Sequence, residues 1–313
     1  METDRNALMD EIRELAQERN AIILAHNYQA SDVQDVADFT GDSLGLALEA
    51  QKTKAELIIF CGVHFMAESA KILNPEKKVL LPNLSAGCSL ADSITPESLD
   101  QWMRRYPGYA VVTYVNSTAE VKAMSDICCT SANAVSVIRS LPTGKILFTP
   151  DRNLGNWVKK QVPEKEIAIY DGCCPTHDVL RGANVIKTRA AFPDAVVIAH
   201  PECREDIIEM ADEVCSTTAM LGRIAKYPST KTFIVATESG IIHQMKKRYP
   251  DREFVMADGC IGCRLHCPYM KMIGLRDVKR SLIEDKFDIT IEPDVMEGAR
   301  RALERMLAVP RDN

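Results

Sequence analysis

Short, uninterrupted apolar runs recur along the chain, separated by helix-length amphipathic segments. The first three are Ala21 to Ala25, Leu57 to Phe60 and Val79 to Leu81. Runs of this length without polar alternation predict parallel strands buried on both faces, and the segments between them predict crossover helices. The same texture returns at Ala110 to Val115, Ile146 to Phe148 and Ile167 to Tyr170, and again at Ala195 to Ala199, Phe233 to Ala236 and Glu253 to Met256. After about residue 275 the pattern turns to a helical period, including Glu297 to Leu307, which predicts a closing amphipathic segment packed on the core.

The polar positions repeat with the apolar ones. A polar pair follows the first run of each third: His26 and Tyr28, Tyr114 and Asn116, His200 and Glu202. Asp38, Asp126 and Asp212 come next, at intervals of 88 and 86 residues, and five residues beyond each stands a hydroxyl, Ser43, Ser131 or Thr217. A glycine-cysteine loop closes each third at Cys88, Cys174 and Cys260, both intervals being 86. One such Ser or Asp reads as a helix cap. Three sets in register predict three α/β repeats, at 1–91, 92–177 and 178–274, followed by a helical segment at 275–313. Parallel strands present ligand-binding groups at their carboxyl ends, so the repeats are expected to aim their polar clusters and cysteines at one shared centre. The fold class is therefore α/β, three similar three-layer αβα domains with pseudo-threefold symmetry about a central site.

Composition narrows the function. The chain has 313 residues, 46% hydrophobic and 26% charged, with a net charge of −6, which is globular and gives no reason to expect nucleic acid or an anionic membrane surface. The first twenty residues are charged and amphipathic, without the apolar core of an export signal, and no apolar stretch is long enough to span a bilayer. Eleven cysteines without such a signal point to a reducing, cytoplasmic setting, where thiols bind metals, catalyse or pack. No dinucleotide fingerprint, phosphate loop or nucleophile elbow is present.

Cys61, Cys128, Cys129, Cys203 and Cys215 lie in apolar or helical settings and read as small core residues. Cys88, Cys174 and the group Cys260, Cys263 and Cys267 lie in loops beside glycine or proline, which suits thiolate ligation. One thiolate from each repeat makes three ligands, which leaves one iron of a cubane open as a Lewis acid. A local zinc knuckle of Cys260, Cys263, His266 and Cys267 is the alternative, and it leaves Cys88 and Cys174 unexplained. His26, His200, Ser43, Ser131, Thr217 and Asn116 offer donors to a small anion, Glu202 can move a proton, and Tyr28 and Tyr114 can donate or relay one. His177 reads equally as a ligand-orienting or a loop histidine. An electron carrier or redox sensor on the same cluster is the rival class, but it has no use for the triplicated polar ring.

Seven motifs carry a resemblance to a known family. They are Ala25-His26-Asn27-Tyr28-Gln29, Gly41-Asp42-Ser43-Leu44, Pro82-Asn83-Leu84 leading to Gly87-Cys88, Thr113-Tyr114-Val115-Asn116, Cys174-Pro175-Thr176-His177, His200-Pro201-Glu202 and Cys267-Pro268-Tyr269-Met270. In this order they resemble the quinolinate synthases, the iron-sulfur transferases of de novo NAD biosynthesis. The resemblance implies a [4Fe-4S] cluster on Cys88, Cys174 and Cys267. It also implies condensation of iminoaspartate with dihydroxyacetone phosphate to give quinolinate, phosphate and water, with an L-aspartate oxidase or dehydrogenase supplying the iminoaspartate. The implied substrate pocket comprises His26, Ser43, Tyr114, Val115, Asn116, Ser131, His200, Pro201, Glu202 and Thr217, with Glu202, Tyr28, Tyr114 and His26 as the catalytic set. Repeat spacing points to Cys260 as the third ligand, while the Cys-Pro-Tyr-Met context selects Cys267. Cys260 and Cys263 would then be spare, at a separation that suits a reversible disulfide.

Overall fold

The computed structural model describes residues 2–259 and 265–312. Cys260 and Cys263, and with them the disulfide and the repeat-counted third ligand, lie outside the described residues. The described residues form three four-stranded parallel sheets of identical order. The first contains β1 (Ala21–His26), β2 (Phe39–Gly41), β3 (Leu57–Cys61) and β4 (Lys78–Leu80) in the order β2-β1-β3-β4. The second contains β5 (Ala110–Tyr114), β6 (Ile127–Cys129), β7 (Lys145–Thr149) and β8 (Glu166–Ile169), ordered β6-β5-β7-β8. The third contains β9 (Val196–Ala199), β10 (Glu213–Val214), β11 (Thr232–Ala236) and β12 (Glu253–Met256), ordered β10-β9-β11-β12.

In each sheet the chain leaves the first strand for one edge and then returns to the other side. Strand order therefore reverses between β1 and β3, β5 and β7, and β9 and β11, and a crevice opens at the carboxyl ends of those pairs. The central strands read as continuous apolar runs because helices cover both faces, and every residue of Leu57–Cys61 is buried. All five cysteines expected in the core are buried.

The periodic aspartates belong to the scaffold. Asp38 Oδ2 accepts the Ile23 amide at 2.7 Å, Asp126 Oδ2 that of Val111 at 2.8 Å and Asp212 Oδ2 that of Val197 at 2.8 Å. Their own amides donate back to the carbonyls of the same three residues. Each clasp ties the start of an edge strand to the first strand beside it, which sets where the following hydroxyl falls.

The closing segment contains two helices, Leu275–Glu284 and Pro293–Leu307, where the pattern suggested one. Asp285 and Phe287, at φ of 56° and 69°, turn the chain between them. The second helix lies across helix Ala119–Ala123 so closely that a Cβ on Gly298 would meet Ala123 Cβ at 2.9 Å. Arg300 Nε donates to the Ile72 carbonyl at 3.2 Å and Arg305 Nη1 to that of Asp126 at 2.8 Å, so this helix joins the first repeat to the second. No helix among the described residues is long and apolar enough to cross a membrane.

Candidate active site

The first strand of each sheet delivers a polar side chain to the crevice. His26 ends β1, Tyr114 ends β5, and His200 follows β9 directly. Two residues on stand Tyr28, Asn116 and Glu202. The turn that carries them is the same in the first and third repeats: the Tyr28 amide donates to His26 Nδ1 at 3.2 Å, and the Glu202 amide to His200 Nδ1 at 3.4 Å. The edge strands β2, β6 and β10 lead into Ser43, Ser131 and Thr217. These nine residues, together with Cys88, Cys174 and Cys267, line one cavity.

Hydrogen bonds fix much of the proton inventory. Glu202 Oε2 lies 3.0 Å from His200 Nδ1 and 3.4 Å from His177 Nδ1. His177 Nδ1 is also 3.2 Å from Cys174 Sγ. His200 Nε2 lies 3.0 Å from Ser131 Oγ and ties the third repeat to the second across the cavity. His177 Nε2 lies 2.8 Å from Thr237 Oγ1, which in turn is 2.5 Å from the Tyr28 hydroxyl. Tyr28, Thr237 and His177 thus form one hydrogen-bonded chain that ends 3.4 Å from Glu202 Oε2. Glu202 Oε1 and Asn116 Oδ1 are buried with no partner among the described residues. Both are acceptors that a ligand would have to satisfy.

Burial sets the titration of the site. It lowers His26 to about 4, with His200 and Lys271 adding to the effect against Asp42 and Glu202, and the ring is neutral at physiological pH. Since His26 Nδ1 accepts from the Tyr28 amide, Nε2 carries the proton. Burial likewise lowers His177 to about 4 and pushes Tyr28 and Tyr114 well above the usual phenol value. Burial also opposes the charge on Glu202, but His177 and the hydrogen bond from His200 outweigh it and hold the carboxyl below its ordinary range.

The three cavity cysteines share a local geometry. Backbone N–H groups reach Cys88 Sγ from Leu90 and Ala91, Cys174 Sγ from His177, and Cys267 Sγ from Tyr269 and Met270. Each thiol thus faces an amide three residues downstream. Burial raises all three, Cys88 to about 12, so the thiolates form only where a cation is held. This donor set, three thiols lining one cavity, fits an iron-sulfur cubane. Cys174, His177 and Glu202 also converge closely enough to hold one ion. His266, the nitrogen donor of the zinc-knuckle alternative, is exposed and outside the cavity wall.

Residues 10–308 match the family described as Quinolinate synthetase A protein. The chain belongs to this family. Relatives named quinolinate synthase include those of Geotalea uraniireducens, 50% identical over 308 residues that cover 98% of this chain and 99% of that protein, and Geobacter metallireducens, 50% identical over 307 residues at the same coverage. That of Caldicellulosiruptor saccharolyticus is 48% identical over 305 residues, covering 97% of this chain and 99% of its own.

Two of the residues expected from the family motifs lie off the main cavity. Val115 lines a smaller adjoining cavity with Ser43, Phe65 and Met66, and Pro201 is buried beside Glu202 behind the wall. Four functional positions escaped the sequence reading. Thr237 completes the Tyr28 to His177 chain. Asp151 Oδ2 accepts the Cys174 amide at 3.1 Å, and Glu238 Oε1 accepts that of Cys267 at 3.2 Å, so buried carboxylates hold two of the three cysteine loops in this quinolinate synthetase A chain. Asp151 and Glu238 each stand two residues past the third strand of their sheet, where the first repeat has Val63; aligning the ends of the third strands was the signal that could have found them. The fourth, Arg311, pairs with Asp42.

Proposed function

We propose that the protein is a quinolinate synthase that condenses iminoaspartate with dihydroxyacetone phosphate to give quinolinate, phosphate and water in NAD biosynthesis, a transferase reaction without net redox change. The carrying observation is the cavity in which a His, Tyr, Asn, Ser, Thr and Glu ring from three sheets meets three half-buried thiols. Cys88, Cys174 and Cys267 would hold a [4Fe-4S] cluster. When bound, the cluster supplies an open iron that acts as a Lewis acid.

The side chains divide the remaining work. His26, neutral with its proton on Nε2, donates a hydrogen bond to a substrate carboxylate without adding charge. Ser43, Thr217 and the Asn116 amide complete the anion-binding ring, with Tyr114 as a phenol that burial keeps protonated. Ser131, hydrogen-bonded to His200, adds a hydroxyl to this ring. Glu202, its Oε2 facing the His200 and His177 rings, presents Oε1 to take a proton from the substrate. A proton returns from Tyr28 through Thr237 and His177. The cytoplasm, with an L-aspartate oxidase or dehydrogenase as source of the unstable imine, is the setting that fits this chemistry.

Glu202→Gln keeps the hydrogen-bonding volume and removes the base. It is expected to retain cluster absorbance while quinolinate formation falls by about 100-fold or more. Near-normal turnover would remove Glu202 from proton transfer.

A further inference from the structure

The cavity wall carries negative charge that a site for anions must offset. Its carboxylates, among the described residues, are Asp42, Glu202 and Glu238. Glu238 is paired with Lys271 at 3.0 Å, and Glu202 is held by two imidazoles. Asp42 has a different partner. Arg311 Nη1 and Nη2 meet its two oxygens at 2.7 and 2.8 Å, a bidentate pair, although Arg311 is absent from the cavity wall.

Asp42 joins the segments that bear Ser43 and Thr217. It caps helix Ser43–Lys52 by accepting the Gly45 amide at 2.8 Å, its own amide donates to Thr218 Oγ1 at 3.3 Å, and Ser216 Oγ lies 3.5 Å from Oδ2. The residue after Arg311 is anchored to the second repeat. Asp312 accepts the amides of Val135 and Ser136 at 3.1 and 2.8 Å, and its amide donates to the Ala132 carbonyl at 2.7 Å, beside Ser131. Two consecutive residues after the last helix thus reach the segments that carry Ser43, Ser131 and Thr217.

We propose that Arg311 is a positioning residue for substrate binding: from behind the wall it neutralises Asp42, so that the pocket accepts a polycarboxylate or phosphate ester. This rests on the quinolinate synthase reading, which supplies the anionic ligand. Without the guanidinium, Asp42 faces the ligand as an uncompensated buried like charge. Asparagine at position 42 carries no charge and remains a good helix cap, so the electrostatic role separates from a purely mechanical one.

The test is equilibrium binding of quinolinate at pH 8 to anaerobically iron-loaded protein. Arg311→Ala is expected to weaken binding on the order of tenfold or more. Arg311→Lys, and the double variant Asp42→Asn with Arg311→Ala, are expected to bind within about threefold of the parent. Parent-like binding by Arg311→Ala overturns the proposal, as does a double variant as weak as Arg311→Ala, which would make the contact a staple only. If Arg311→Ala does not fold, the double variant decides alone, because it has no lone buried charge: parent-like binding supports neutralisation and a tenfold loss overturns it. Failure of the parent protein to bind quinolinate refutes the functional reading instead.

Discussion

At the scale of single residues, the site is governed by how few protons its buried groups hold. Thr237 has one, and it stands between a phenol that burial keeps protonated and an imidazole that burial keeps neutral. Thr237→Val preserves shape and cuts this chain. The expected outcome is a kcat lower by roughly tenfold to hundredfold with KM little changed, and recovery in Thr237→Ser. An unchanged kcat would show that Tyr28 and His177 act independently. Nothing in the sequence announced Thr237, because its partners lie 209 and 60 residues away and the repeats place Gly62 and Pro150 at the same point past the third strand.

At the scale of elements, the buried strands were legible and the edge strands were not. The central runs of each sheet are continuous and apolar because both faces are covered. Phe39–Gly41, Ile127–Cys129 and Glu213–Val214 span two or three residues each, too short to show a period. Yet these are the strands that lead into Ser43, Ser131 and Thr217. The hydroxyls are therefore legible through the register of the polar positions, with intervals of 88 and 86 residues, not through the strands that place them. The same register marked Asp38, Asp126 and Asp212, whose role as strand clasps only the hydrogen bonds reveal. Asp38→Ala leaves the buried Ile23 amide without its side-chain acceptor. Chemical denaturation should show a loss of about 1–2 kcal/mol, and no loss would mean that water replaces the clasp.

At the scale of the whole molecule, three sheets of one topology place their crevices on a common cavity, and the closing helices join repeats that are distant in sequence. Arg311 lies 269 residues from Asp42, a pairing that no local pattern encodes. Burying neutral histidine at the centre also sets a pH dependence. The unfolded chain protonates His26 near 6.5, whereas the folded protein resists until about 4, so the unfolded state binds the extra proton between these values. Stability is unaffected by this group above pH 6.5 and falls as pH drops towards 4, by about 1.4 kcal/mol per pH unit at most. Unfolding free energies at pH 7 and pH 5.5 should differ accordingly, and His26→Gln should reduce the difference. An equal slope in the variant would mean that His26 is solvated.

The most direct test of the central claim is product formation by anaerobically purified, iron-loaded protein supplied with iminoaspartate and dihydroxyacetone phosphate. The predicted result is a brown protein with about four irons per chain that releases quinolinate and phosphate in equal amounts. A fully loaded cluster with no quinolinate formed would contradict it.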